Sequence, residues 1–206
     1  MRTDEKSCAG KIRDLLRMSG TADPMGFAMQ AVRPLAIETM REAIVSCDCC
    51  PVSRQGRCLK TLPRGTEDAS VLVICDCPTA GQWESGEPLQ ETLAGTREWA
   101  QVIKKVLDAY GINEKALFFV NAMACYPAEP AGTGYAGRYP TVDELAYCKT
   151  FVDYAFKIVD PVLVLLLGQY ALNAVKEDSV VIREHGKFVK VRGTMAMPTY
   201  RAASSW

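Results

Sequence analysis

The chain has 206 residues, of which 49% are hydrophobic and 23% are charged, and its formal net charge at pH 7 is zero. This composition is typical of a soluble globular domain, and the balanced charge excludes a global field that draws the whole protein to nucleic acid or to an anionic membrane. The longest apolar run covers residues 161–168, far short of the roughly 20 residues of a membrane span. No signal-peptide core opens the sequence, so we expect a cytoplasmic protein without membrane contact whose thiols stay reduced.

Apolar residues at helical spacing predict helices over residues 5–18 and 28–46. They form a predicted helical extension, residues 1–44, that packs on a main domain, residues 45–206. In the main domain, continuous apolar runs predict buried strands and amphipathic runs predict helices. The predicted strands are residues 71–74, 117–121, 161–167 and 194–197, the predicted helices are residues 92–110, 141–159 and 169–175, and residues 180–192 are predicted to form a β-ribbon.

Strands that alternate with helices predict an α/β fold of three layers, with a central, mainly parallel four-stranded sheet between helices. Thr141, followed by Glu144, predicts a capping box at the start of one helix. Gly111 predicts the end of another helix. In a parallel sheet of this kind, functional side chains are expected just beyond the carboxyl ends of the strands.

Nine cysteines are the most informative residues of the chain. Cys47 and Cys50 have C-x-x-C spacing, which suits two thiolates on one metal ion or cluster. Cys125 follows the second predicted strand and Cys148 lies in the next predicted helix, so both are placed to converge on the first pair. Clustered cysteines in a reducing compartment hold metal more often than they form disulfides. The cysteines without an evident partner are Cys8, Cys49 and Cys58.

Residues 132–137 match the pattern G-x-G-x-x-G, which binds dinucleotides when it joins a strand to a helix. Prolines stand on both sides of this segment, so neither context is met and a flexible loop insertion is the better interpretation. The single histidine, His185, precedes Gly186 and is predicted to be a turn residue.

The ordered set of motifs resembles the family 4 uracil-DNA glycosylases, the iron–sulfur branch of that superfamily. Residues 47–50 stand at the family's C-x-x-C, residues 75–79 at G-E-x-P-G, and residues 120–127 at the asparagine motif. The other matching segments are residues 86–89, 138–148, 167–168, 185–186 and 199–205. The resemblance covers about residues 45–206, with the glycine-rich segment as an insertion.

The resemblance implies a [4Fe–4S] cluster that joins the N-terminal region to the sheet and has a structural role. The implied ligands are Cys47, Cys50, Cys125 and Cys148. Zinc held by the same four thiolates is the main alternative. The neighbouring Cys49 and Cys58 are implied to be bystanders.

The resemblance also implies that the protein binds DNA, swings a nucleotide out of the stack and cleaves its N-glycosidic bond. Asn121 is then the amide that reads the edge of the base. Asp76 is the carboxylate beside the sugar, where positive charge develops. Arg201 stands at the family's histidine and donates to the oxygen of the leaving base. The remaining implied base-binding residues are Leu89, Cys77 and Pro78.

Three motifs depart from the family pattern. Leu89 replaces the aromatic residue that stacks on the base, Cys75 and Thr79 replace two glycines, and Arg201 replaces the histidine. These departures favour an alternative, a catalytically inactive cluster-bearing homologue that binds DNA or a protein partner. In either case we expect a monomer whose positive charge for DNA comes from Lys187, Lys190, Arg192 and Arg138.

Overall fold

The computed structural model describes residues 26–54, 60–66, 68–79, 105–132 and 134–201. The helix predicted over residues 5–18, most of the helix predicted over residues 92–110, and Leu89 lie outside the described residues. The chain forms an α/β fold with a mixed five-stranded sheet in the order β2-β1-β5-β7-β6. The strands of this sheet are β1 (Val71–Cys75), β2 (Leu117–Asn121), β5 (Leu163–Leu167), β6 (Val189–Val191) and β7 (Thr194–Thr199), and a separate hairpin contains β3 (Ala128–Ala131) and β4 (Gly134–Gly137).

The four strands β2, β1, β5 and β7 are mutually parallel. The fifth strand, β6, pairs antiparallel with β7 at one edge, so the sheet is mixed and the prediction of a four-stranded sheet was one strand short. Register aligns the carboxyl ends of the parallel strands, because Cys75 pairs with Asn121 and Leu167, and Leu167 pairs with Thr199. These ends lie side by side and form the carboxyl end of the sheet.

The described helices are α1 (Gly26–Val45), α2 (Val142–Val159), α3 (Gln169–Asn173) and α4 (Val181–Glu184), with a 3-10 turn at Glu114–Ala116. Residues 105–110 are also helical. The predicted capping box is confirmed, because Thr141 and Glu144 exchange side-chain to backbone hydrogen bonds at the start of α2. Gly111 follows the helical residues with φ +62°, the left-handed conformation that ends helices. Within the described residues, no helix combines the length and apolarity needed to cross a bilayer.

Helices pack on both faces of the sheet. Leu72 and Ile74 of β1 share a core with α1 and α2, represented by Ile44 and Val152. The alternate residues of β1 form a second core that includes Leu107 of the helical residues 105–110. This arrangement is compatible with three layers, and it follows from the continuous apolar runs of the strands, which must be covered on both sides.

Two local predictions differ from the structure. The first half of the ribbon predicted over residues 180–192 is the short helix α4. The Gln169 side chain, which is distant in sequence, accepts from the Val181 N–H at 2.9 Å and supports the start of that helix. Residues 134–137, part of the segment predicted to be a loop, form β4 and pair with β3 in a hairpin. There a Cβ at Gly137 would overlap the Tyr126 hydroxyl, so a larger residue would displace that side chain.

Candidate functional site

The candidate site lies at the carboxyl ends of the parallel strands. Asn121 is the last residue of β2, Asp76 directly follows β1, and Arg201 lies just beyond β7. The Ala122 N–H donates to the carbonyl oxygens of both Cys75 and Asp76, at 2.7 and 3.0 Å, which holds the ends of β1 and β2 side by side. The structure therefore brings three predicted site residues, Asp76, Asn121 and Arg201, to the carboxyl end of the sheet.

The Asp76 carboxylate is buried, with 5% of the residue exposed. Its Oδ1 accepts from the Ala171 N–H at 2.9 Å. Burial raises the pKa of Asp76 to about 6, while hydrogen bonds from the backbone of Ala171 and Tyr170 and the charge of Arg201 act in the opposite direction. Gly168 packs directly on this carboxylate, since a Cβ at that position would overlap it. The site thus holds a carboxyl group that changes charge close to neutral pH.

The Asn121 side chain is oriented by its neighbours. Its Nδ2 donates to Thr61 Oγ1 at 2.8 Å, and Thr61 Oγ1 donates to the Ala124 carbonyl oxygen at 3.0 Å. The only hydroxyl proton of Thr61 is used on Ala124, so the amide must present its nitrogen to Thr61. Asn121 Oδ1 is consequently buried and has no hydrogen-bond partner among the described residues. A buried acceptor in this state is costly unless a ligand satisfies it.

Residues 60–64, the connecting strap, run along the outer edge of β2. Lys60 donates through Nζ to the carbonyl oxygens of Val45 and Cys47 and forms an antiparallel bridge with Cys125. At the other end of the strap, the Arg64 N–H donates to the Phe119 carbonyl oxygen at 3.0 Å. The strap therefore connects the C-x-x-C turn, the loop after β2 and the residue that orients Asn121.

Cys50, Cys125 and Cys148 belong to one buried apolar group beside the candidate site; this group, the thiol cluster, also contains Val52 and Met123. Cys47 is half-buried, and its charge interacts with that of Cys50. The Ser53 N–H donates to Cys50 Sγ at 3.4 Å, which helps to fix the C-x-x-C turn. In the described part of the chain, no three His, Cys, Asp or Glu side chains are grouped so as to hold a metal ion.

The donor chemistry of the thiol cluster fits both groups inferred from the sequence, because four soft thiols suit an iron–sulfur cluster or zinc. Burial raises the pKa of Cys47, so a bound cation is needed to keep its thiol deprotonated. None of the four proposed ligands takes part in a disulfide. Cys49, for which the sequence offers no partner, is disulfide-bonded and so is not an available ligand.

Cys77 and Pro78 directly follow Asp76 and are buried. Burial raises the pKa of Cys77 to about 12, so this thiol is neutral at physiological pH. Cys77 also belongs to the thiol cluster and thereby connects that cluster to the Asp76 loop.

The four basic residues expected to contact DNA are not together. Arg138 forms a two-pronged ion pair with Glu144, with N–O distances of 2.9 and 2.5 Å. Lys187 is exposed and follows Gly186, whose N–H donates to the Pro198 carbonyl near the carboxyl end of β7. Lys190 pairs with Met195 near the start of β7, so it lies toward the opposite end of the strands, where the parallel strands begin.

Arg192 also lies at the end of the sheet where the parallel strands begin, in the turn between β6 and β7. It forms an ion pair with Asp153, and its guanidinium lies 4.7 Å from the centre of the Phe156 ring. These contacts hold Arg192 against α2, and they account for it without a ligand.

Two aromatic residues at the site have no role in the sequence-based predictions. Tyr170 is on α3, and its ring centre lies 6.3 Å from that of Tyr139. The only sequence signal for Tyr170 is its position shortly after the Leu167-Gly168 motif, at the end of a strand. The chain matches no protein-family model, so any assignment of a reaction depends on the side chains at the strand ends.

Proposed function

We propose that the protein is a DNA glycosylase that excises uracil or a modified base from DNA. The observation that carries this proposal is the Asn121 side chain, whose Oδ1 is buried without a partner among the described residues. The proposal includes a three-layer α/β/α architecture like that of the uracil-DNA glycosylases and a monomeric protein.

Asn121 has the donor and acceptor pattern needed to select uracil. Its Oδ1 can accept from the N3–H of uracil, and the second hydrogen of its Nδ2 can donate to the uracil O4 while the first stays on Thr61. Cytosine presents an acceptor at N3 and a donor at position 4. Cytosine therefore sets acceptor against acceptor and donor against donor, which leaves buried groups unpaired and gives strong discrimination.

Asp76 and Arg201 have the charges that the cleavage step requires. As the bond between C1′ and N1 breaks, its electron pair leaves with the base, positive charge develops on the sugar and negative charge develops on the base. The Asp76 carboxylate stabilises the sugar cation, and Arg201 donates to the oxygen of the departing base. Water then adds to C1′ and loses one proton, the departing base anion takes up one proton from solvent, and an abasic site is left.

Cys47, Cys50, Cys125 and Cys148 are the residues that would hold a [4Fe–4S] cluster. When bound, such a cluster supplies a cross-link between the C-x-x-C turn and the sheet and takes no part in bond cleavage. Iron and zinc analysis of protein purified without oxygen distinguishes the cluster from the zinc alternative, because only the cluster gives a brown protein with about four irons per chain.

A second candidate is a catalytically inactive homologue that binds DNA or a protein partner. One observation favours it. Asp76 already accepts from the backbone of α3 and is covered by Gly168, so a purely structural role explains its burial.

A single-turnover assay on oligonucleotides with one uracil, single-stranded and double-stranded, tests the proposal. The wild type should cleave uracil and leave cytosine intact. Asn121→Ala should lose about 10²- to 10³-fold in rate, the usual effect of removing one interaction with the developing anion, and should lose discrimination as well. Asn113→Ala is the matched control, because Asn113 caps the 3-10 turn before β2 and so lies at the opposite end of that strand from Asn121. A wild type inactive on every uracil substrate would establish the inactive alternative.

A further inference from the structure

Tyr170 is fixed to the candidate site by its own backbone. It lies in the first turn of α3, directly before Ala171, whose N–H donates to Asp76 Oδ1. The backbone of Tyr170 also hydrogen-bonds to the Asp76 carboxylate. The Cα of Tyr170 is therefore held at a constant distance from the carboxyl group proposed to face the sugar.

The side chain of Tyr170 faces the same site. The ring packs against the thiol cluster that contains Cys77. Tyr170 thus lies beside Asp76 through its backbone and beside Cys77 through its ring, and both are residues of the proposed base site.

Tyr139 packs beside Tyr170. Its ring is inclined by 53° to that of Tyr170, and 59% of the residue is exposed. Inclined aromatic pairs at such separations are a favourable arrangement. The two rings therefore form an aromatic pair beside the proposed base site, and the Tyr139 ring reaches solvent.

Enzymes that flip a base stack it between aromatic or apolar side chains, because a nucleobase that leaves the duplex loses its neighbours. Leucine at position 89 offers no aromatic face. Building on the proposed function, we infer that Tyr170, supported by Tyr139, supplies the aromatic surface on which the extruded base stacks. The ligand class is then a planar pyrimidine ring, read at its edge by Asn121 and stacked on Tyr170.

Affinity for free uracil, measured by calorimetric titration of the full chain, tests this inference independently of bond cleavage. Stacking of one base on an aromatic side chain contributes about 1–3 kcal/mol, so Tyr170→Leu should weaken uracil binding by about 5- to 150-fold. Tyr170→Phe keeps the ring and should stay within about threefold of the wild type by the same reasoning. Tyr139→Leu, at an exposed position, should have a smaller effect than Tyr170→Leu.

Thermal melting of each variant identifies a folding defect. If Tyr170→Leu does not fold, Tyr170→Met provides the same comparison, since its flexible side chain fills irregular space without an aromatic face. Wild-type affinity in a folded non-aromatic variant overturns the inference and leaves the glycosylase proposal intact. A wild type that neither binds uracil nor cleaves it overturns the proposed function and this inference together.

Discussion

Asp76 and Glu144 are both buried carboxylates, with 5% and 4% of their surface exposed, yet their pKa values shift in opposite directions. Hydrogen bonds from Arg138 lower the pKa of Glu144, whereas burial raises the pKa of Asp76 to about 6. Glu144 also accepts from the Thr141 N–H at 2.8 Å, which completes the cap of α2. Burial alone is therefore a poor guide to function; the informative feature is a buried charge whose partners do not fully compensate it.

Removing Glu144 should have the largest effect on stability. Glu144→Ala leaves Arg138 without its carboxylate partner and α2 without its capping box, and breaking a buried pair costs about 3–5 kcal/mol. Urea unfolding followed by circular dichroism measures the loss. Glu177→Ala is the matched control, because it breaks an ion pair with Lys149 that lies on the surface. Equal stability losses in the two variants would contradict the distinction between buried and surface pairs.

Removing Arg201 should have the largest effect on the reaction. Under the glycosylase proposal, Arg201→Ala loses a donor to the departing base, and single-turnover cleavage should fall by about 10²- to 10³-fold. Because the charge of Arg201 lowers the pKa of Asp76, the acid limb of the pH–rate profile should also move to higher pH. Binding of an uncleavable DNA analogue should change little. A variant with full activity would exclude Arg201 from the chemistry.

The pH dependence of stability should distinguish the two carboxylates by sign. The folded-state pKa of Asp76 is raised from 3.8 to about 6, so the folded protein binds the proton more tightly than the unfolded chain does. Stability contributed by this group then decreases as pH rises from about 4 to about 6, by at most about 3 kcal/mol. Asp76→Asn should be more stable than the wild type at pH 8, and the difference should vanish near pH 4.

Glu144→Gln provides the mirror image of this experiment. The pKa of Glu144 lies below its ordinary value of 4.5, so its contribution is present above that pH and is lost as pH falls. Guanidinium unfolding of both variants across the pH range measures the two profiles. If Asp76→Asn and Glu144→Gln shift stability in the same direction at pH 8, the contrast between the two sites is wrong.

The smallest expected effects concern the basic residues. Lys187 lies near the carboxyl ends of the parallel strands, and Lys190 lies toward their opposite ends. If DNA binds across the candidate site, Lys187→Glu should reduce the slope of log affinity against log salt by about one unit, the contribution of one phosphate contact. Lys190→Glu should leave the slope unchanged. Fluorescence anisotropy in a series of salt concentrations measures both, and equal slopes in the two variants would remove Lys187 from the interface.

Local patterns predicted much of the fold. The continuous apolar runs gave the parallel strands, and Thr141 with Glu144 gave the start of α2, because these signals need only neighbouring residues. The short helix α4 was missed because its first N–H is satisfied by Gln169, a side chain from another element. The antiparallel position of β6 depends on a turn in which Arg192 and Gly193 both have positive φ, and arginine gives little signal for that conformation.

The candidate site was predictable to a similar extent. The rule that functional residues follow parallel strands predicted that Asp76 and Asn121 lie together at the carboxyl end of the sheet. It could not show that Arg192 is held by Asp153 on α2, because that contact joins distant segments. Tyr170 was overlooked for a related reason, since an aromatic residue in a short helix usually belongs to the core, and its backbone hydrogen bond to Asp76 exists only in the folded chain.

The connecting strap has a consequence for local motion. Residues 60–64 are held to β2 and the following loop by a few backbone hydrogen bonds, among them Thr61 N–H to the Ala124 carbonyl oxygen at 2.8 Å. If the strap detached, Asn121 would lose the hydroxyl that orients its amide, and the C-x-x-C turn would lose the contacts of Lys60. Segments that open together exchange their amide hydrogens together. We therefore expect the amide hydrogens around Asn121 and those of the C-x-x-C turn to be protected from exchange, and to lose that protection, as one cooperative unit.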